Sequence, residues 1–139
     1  MIKHGDPPYL ECSSRGDKRF SAFFARIICR DFASIEELYQ SAKRFHPNTP
    51  GVDPTTCRMI TWQQAKGKRA VNQDEVALLY ETLWNEYITE NPHLVMVLQQ
   101  ATGLSDMFGQ PGSVCQATSL WRIRKERYVD LRGRVQFTR

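Results

Sequence analysis

Apolar residues recur at helical spacing in the stretch from Ser34 to Phe45, and this stripe predicts a helix that buries one face. Ser34 followed by Glu37 forms a capping-box pattern, which marks the start of the helix. We therefore expect a core helix here. Its apolar positions are Ile35, Leu38, Tyr39, Ala42 and Phe45.

Three further helices are predicted by the same criteria. Thr61 with Gln64 opens a short helix that Gly67 interrupts, and Asn72 with Glu75 opens the longest one. A fourth helix follows Pro92 and is expected to stop at Gly103.

Short stretches rich in aromatic and β-branched residues predict a small β component. Residues 9–12 and 20–29 flank a turn-like segment and suggest an N-terminal β-hairpin, while 120–124 and 127–137 suggest strands around Gly133. Residues 46–56, with three prolines, are expected to form an irregular loop. The predicted fold is mainly α, α+β with a small β component: a compact orthogonal helical domain with a short N-terminal hairpin, spanning residues 1–139.

Composition narrows the possible classes of protein. The chain is 41% hydrophobic, has no signal-peptide pattern and has no apolar run of membrane-spanning length, so we expect a soluble, cytoplasmic protein. Four cysteines without a C-x-x-C pair favour reduced, mostly buried thiols. No two of the three histidines have metal-ligand spacing, and neither a metal nor a cofactor is predicted.

Positive charge is concentrated towards the C-terminus. Residues 122–139 contain seven basic and two acidic residues, a net charge of +5, which leaves −1 on the remainder of the chain. Such a basic C-terminal extension suits an anionic partner, including nucleic acid, and suits a merely solubilising tail equally well.

Glu36, Gln40 and Lys43 form a second stripe beside the buried face of the first helix. A helix carboxylate, a neighbouring lysine, tryptophans and arginines are the groups needed to bind a phosphorylated ribose and to attack its glycosidic bond. A solvated helix face is the alternative interpretation.

A resemblance to a known family favours the catalytic interpretation. SIEELYQSAK at residues 34–43 resembles the T-V-E-H-Y-F-Q-A-x-K pattern of the NADAR family, which is associated with NAD and ADP-ribose metabolism. RFSAFF at 19–24 is similar to the family's F-S-N-F-Y segment, and AKGK at 65–68 to a later one. NPHL and the following ATG, then Leu120 and Trp121, continue in the same order, so the resemblance covers about residues 20–121.

The resemblance implies an N-glycosidase acting on an ADP-ribosyl or ribose-phosphate conjugate. Glu36 would then be the catalytic carboxylate, Lys43 its lysine partner and Trp121 an aromatic residue near the substrate. Further substrate contacts are expected from Gln40 and from the segment similar to F-S-N-F-Y, through Phe20, Ser21 and Phe23. Trp62 is a candidate for stacking on a base, and Arg19 for holding phosphate.

The chain departs from the family pattern at three positions. Ala22 stands in place of an asparagine, Thr118 in place of an aspartate, and Arg122 in place of a glycine. Asp106 is a candidate substitute for the aspartate. These departures leave two alternatives open: a module that binds ADP-ribose, NAD or a nucleotide without cleaving it, and a factor that binds nucleic acid or protein through its basic C-terminus.

Overall fold

The structure is a computed structural model that describes residues 9–12, 15–101, 103–105, 116–129 and 134–137. Within these ranges it is mainly α-helical, as predicted, with short two-stranded sheets. The α-helices are α1 (Ile35–Ser41), α2 (Gln73–Glu90), α3 (His93–Gln100) and α4 (Gln116–Glu126).

Helix α1 begins where the capping pattern predicts. The Ser34 Oγ accepts a hydrogen bond from the Glu37 N–H at 3.1 Å, which satisfies one backbone donor of the first turn. The helix ends at Ser41. The side chain of Asn72, which precedes α2, forms hydrogen bonds to the residues that follow this end. The Asn72 Nδ2 donates to the Ala42 carbonyl at 3.0 Å, and its Oδ1 accepts from the Arg44 N–H at 2.9 Å.

The main core forms where α2 packs against the other helices. Edge-to-face aromatic contacts run from Tyr39 of α1 to Tyr80, at 5.1 Å, and then along α2 to Trp84 and Tyr87. Trp84 is fully buried in this core.

Four pairs of short strands complete the described fold. Strand β1 (Tyr9–Glu11) pairs in parallel with β6 (Gly103–Ser105), and β7 (Arg127–Val129) pairs antiparallel with β8 (Val135–Phe137). The remaining strands form two antiparallel pairs: β2 (Arg26–Ile27) with β3 (Ala33–Ser34), and β4 (Val52–Asp53) with β5 (Arg58–Met59).

The predicted N-terminal hairpin is wrong, because its two arms pair with other segments. The second arm begins as a 3₁₀ turn, Lys18–Phe20, capped by the Asp17 carboxylate, which accepts from the Arg19 N–H. This turn places Phe20 in the core instead of alongside β1.

Two other predictions of local structure are corrected. Residues 120–124 belong to α4, where Leu120 and Ile123 are buried three residues apart; so short an apolar run fits a strand and a helix equally well. The expected irregular loop at 46–56 contains β4. Together with β5, this strand covers a second small core of Phe45, Val52, Met59, Ala65 and Ala70.

The cysteines only partly follow the prediction of buried thiols. Cys12 is buried, Cys57 is half-buried and Cys29 is exposed. Cys115 lies outside the described residues. No helix among the described residues is both long and apolar enough to cross a membrane.

The basic C-terminal segment is partly built into the fold. Arg122 pairs with Glu81, and the Arg124 Nε donates to the Leu98 carbonyl at 2.9 Å. Arg127 is buried and its Nη2 donates to the Asn85 Oδ1 at 2.8 Å. These three arginines therefore hold α4 and β7 against α2 and α3, and do not extend as a separate tail.

The ion pair between Arg30 and Glu86 predicts a pH-dependent stability. The Arg30 Nε and Nη2 donate to the two carboxylate oxygens of Glu86 at 2.8 and 2.7 Å, and this bonding lowers the pKa of Glu86. Such a carboxylate stabilises the fold above its unfolded-state pKa, and that contribution is lost as the pH falls through the lower folded-state pKa.

We expect Glu86→Gln to reduce the free energy of unfolding by about 0.5–1 kcal/mol at pH 7, a value discounted for partial solvent exposure. The deficit should shrink as the pH falls below about 4. Urea denaturation of both proteins between pH 7 and 3 measures it, with Glu126→Gln as a charge-matched control at an exposed position. A deficit that stays constant over this range would show that the ion pair does not control the acid response.

Candidate functional site

Glu36 and Gln40 lie one turn apart on α1, and their side chains are joined. The Gln40 Nε2 donates to the Glu36 Oε1 at 2.8 Å. Glu36 is half-buried, whereas Gln40 is only 6% exposed. The Gln40 Oε1 is buried and accepts no hydrogen bond from any described residue. A carboxylate with a fixed orientation therefore sits beside an acceptor that has no partner in the described part of the chain.

The backbone of Glu36 is fixed by the segment similar to F-S-N-F-Y. The Glu36 N–H donates to the Ala22 carbonyl at 3.0 Å, and the Ala22 N–H donates to the Gln116 Oε1 at 2.6 Å. Gln116 is the first residue of α4, so α4 helps to position α1 through Ala22. Sequence patterns gave no indication of this role for Gln116.

Gln40 also lines a cleft of about 390 Å³ between α1 and the segment that follows β5. The 3₁₀ helix Trp62–Ala65 forms one wall, and it begins with the predicted capping box, in which the Gln64 Oε1 accepts from the Thr61 N–H at 3.0 Å. The cleft lining includes the half-buried indole of Trp62 and the exposed Arg58, which the sequence had not singled out. The complete lining is Gln40, Ser41, Arg58, Met59, Ile60, Thr61, Trp62 and Gln63.

Lys43 is an anchor for this wall. Its side chain is 5% exposed, and its Nζ donates to the Ala65 carbonyl at 3.2 Å and to the Lys68 carbonyl at 2.8 Å. Burial lowers the pKa of the Lys43 ammonium, and the negative charge of Glu36 opposes this shift. Two of its three donors bind backbone carbonyls, and its charge acts on Glu36 through space, so Lys43 has a structural role beside the catalytic role predicted for it.

The other residues predicted from the segment at 19–24 have different surroundings. Phe20 is fully buried in the main core, so the structure offers no route for the substrate contact predicted for it. Ser21 is also fully buried, with its Oγ unpaired among the described residues. Phe23, by contrast, is 39% exposed, and the Lys66 Nζ lies 4.6 Å from its ring and 5.3 Å from that of Trp62.

Arg19 and Trp121 have partners outside the cleft. Arg19 was predicted to hold phosphate. Its guanidinium donates to both carboxylate oxygens of Asp17, at 3.0 and 2.7 Å. Trp121 packs against the main core, with the Arg124 guanidinium 4.7 Å from its ring. Of the predicted site residues, Gln40 and Trp62 line the cleft. Glu36 is joined to it through Gln40 and Phe23 through Lys66, and neither they nor Trp121 belong to the lining.

Over the described ranges, no group of three or more histidine, cysteine, aspartate or glutamate side chains is placed to hold a metal ion. Comparison of the chain with protein-family models, with curated proteins and with solved structures gives no match. The site is therefore interpreted from its own geometry.

The anchoring role of Lys43 predicts a specific loss of stability. Lys43→Met keeps the aliphatic stem but removes the donor of the Lys68 carbonyl and one of the two donors of the Ala65 carbonyl, which keeps its bond from the Lys68 N–H. We therefore expect a loss of about 2–3 kcal/mol in the free energy of unfolding. Urea denaturation measures it. The matched control is Lys68→Met, which makes the same substitution on an exposed side chain and should change stability by less than about 0.5 kcal/mol. Equal losses in the free energy of unfolding of the two variants would contradict the anchoring role of Lys43.

Proposed function

We propose that the protein is an N-glycosidase that hydrolyses the N-glycosidic bond of an ADP-ribosyl or ribose-phosphate conjugate. One observation carries the proposal: the Glu36 carboxylate is oriented by Gln40, and Gln40 lines a cleft that has an indole wall. The resemblance of residues 34–43 to the NADAR pattern supports it independently, because Glu36 matches the position of the family's carboxylate.

The chemistry of this bond fits the groups at the site. Cleavage at the anomeric carbon passes through an oxocarbenium-like state, and a carboxylate stabilises that positive charge or removes a proton from the attacking water. Glu36 would have this role, with the water oxygen bonding to the anomeric carbon as the bond to nitrogen breaks. The Gln40 Oε1 would accept a hydrogen bond from the ligand, and Trp62 would stack on a base.

Two of the three departures from the family pattern, Ala22 and Thr118, have different consequences in the structure. Ala22 positions Glu36 through its backbone, and its buried side chain leaves little space for an asparagine. Thr118 is exposed on α4, and Asp106 lies outside the described residues.

Binding without hydrolysis is the second candidate, and the unpaired Gln40 Oε1 favours it. A buried acceptor without a partner has a free-energy cost that a ligand donor would remove, whether or not a bond is then cleaved. Ligand-induced thermal stabilisation without product formation would distinguish this candidate from the enzyme.

Glu36→Gln tests the enzymatic proposal. Gln keeps the size of the side chain but removes the charge that stabilises the oxocarbenium-like state, so we expect turnover to fall by at least about 100-fold. Mass spectrometry of released sugar and base measures it, with NAD, ADP-ribose, a pyrimidine-riboside phosphate and ADP-ribosylated guanine in DNA as substrates.

Glu37→Gln is the matched control, because it removes the same charge from the same turn of α1 and should retain activity. Circular dichroism establishes that both variants are folded. Full activity of Glu36→Gln would contradict the proposal. Thermal stabilisation by one of these ligands, with no release of sugar or base by the wild-type protein, would favour the binding module over the enzyme.

A further inference from the structure

Exposed aromatic rings alternate with basic side chains on the surface beside the cleft. Lys66 lies over the rings of Phe23 and Trp62, and the Lys18 Nζ is 4.9 Å from the centre of the Phe24 ring. Phe24 is 46% exposed, and its neighbour Phe23 is nearly as open. Arg58 lines the same cleft as Trp62. We call this set the cation–aromatic ridge: Lys18, Phe23, Phe24, Arg58, Trp62 and Lys66.

The ridge leaves its aromatic faces available to a ligand. A lysine over an exposed ring contributes only about 0.5–1 kcal/mol, so a stacking group could displace it at small cost. The displaced ammonium would then be free to contact a phosphate beside the stacked group. Bases that stack on aromatic rings, with phosphates held by adjacent cations, are the usual contacts of single-stranded nucleic acid.

Positive charge is also high in the segment of the chain that carries Arg58, Trp62 and Lys66 of the ridge. Residues 44–71, which form the wall of the cleft and the second small core, carry five basic side chains and one acidic side chain, Asp53. Their net charge of +4 equals that of the whole chain, so the remaining residues sum to zero. All five basic side chains are exposed, and none forms an ion pair with any residue that the structure describes: Arg44, Arg58, Lys66, Lys68 and Arg69.

The C-terminal segment is less suited to the same partner, although its formal charge is higher. Arg122, Arg124 and Arg127 are occupied by Glu81, by carbonyls of α3 and by Asn85. Their charges are partly neutralised or buried, whereas those of residues 44–71 face solvent beside stacking surfaces.

We propose that single-stranded nucleic acid binds along the cation–aromatic ridge. Its bases stack on Phe23, Phe24 and Trp62, and its phosphates pair with Lys18, Arg58 and Lys66. Single strands are favoured over duplexes because stacking between neighbouring base pairs in a duplex buries the base faces that the rings would contact. This binding requires no bond cleavage, so it goes beyond the proposed hydrolysis and can fail or succeed independently of it.

Fluorescence anisotropy with a labelled oligothymidylate of about 20 nucleotides tests the proposal, with a duplex of the same length as the comparison. We expect the single strand to bind at least about tenfold more tightly than the duplex. Its affinity should fall steeply with salt, because binding releases counterions from the contacted phosphates. Equal affinity for the two forms, or no binding at low salt, would overturn the proposal.

Two charge-matched double variants locate the binding surface. Arg58→Gln with Lys66→Gln removes two charges from the ridge. The slope of log affinity against log salt, which is negative, should become shallower by about 1.4. Lys125→Gln with Arg134→Gln removes two exposed charges from the C-terminal segment and should leave the slope nearly unchanged. An equal or larger effect of the C-terminal pair would overturn the assignment to the ridge.

Phe24→Ala tests stacking separately from charge. The ring is exposed and lies outside both core clusters, so its removal should leave the fold intact, as circular dichroism can establish. We expect about a tenfold loss of affinity for the single strand and little change for the duplex. An unchanged affinity for the single strand would show that bases do not stack on Phe24, and it would overturn the proposal.

Discussion

The candidate site depends on one buried charge. The Lys43 ammonium lies just beyond the end of α1 and binds two carbonyls of residues 65–68, which belong to a segment more than twenty residues away in the chain. Taking an ammonium out of water is costly, and the cost is recovered only when good acceptors surround it. The Ala65 and Lys68 carbonyls meet this need and thereby hold the wall that carries Trp62 against the helix that carries Gln40 and Glu36.

The same arrangement couples structure to chemistry. Lys43 and Glu36 influence each other through space, since the carboxylate opposes the fall in the pKa of the ammonium. Burial raises the pKa of the Tyr39 hydroxyl, and the charge of Glu36 adds to that rise. Gln40 bonds to Glu36 through its amide nitrogen and leaves its oxygen unpaired. A lysine predicted to act in catalysis thus also supports the wall of the cleft.

Sequence patterns predicted those parts of the fold that depend on neighbouring residues. The cap at Ser34 and the capping box at Thr61 are set within one or two turns, and the structure confirms them. The buried stripe of α1 is confirmed only in part: Ile35 and Tyr39 are buried on the helix, but α1 ends at Ser41, and Phe45 packs in the second small core. The partner of β1 and the helical state of residues 120–124 depend on distant packing, and both were predicted wrongly. The roles of Lys43 and Gln116 likewise arise from contacts across the chain, to the carbonyls of residues 65–68 and to the Ala22 N–H. No local pattern encodes them.

The central claim is that the cleft between Gln40 and Trp62 is a ligand site. Titration of ¹⁵N-labelled protein with ADP-ribose, followed by two-dimensional NMR, tests it without altering any residue. We predict that the side-chain amide of Gln40 and the indole N–H of Trp62 shift together and saturate, while the indole N–H of Trp121 stays unchanged. Saturable shifts at Trp121, with Gln40 and Trp62 unaffected, would contradict the account and move the site to α4.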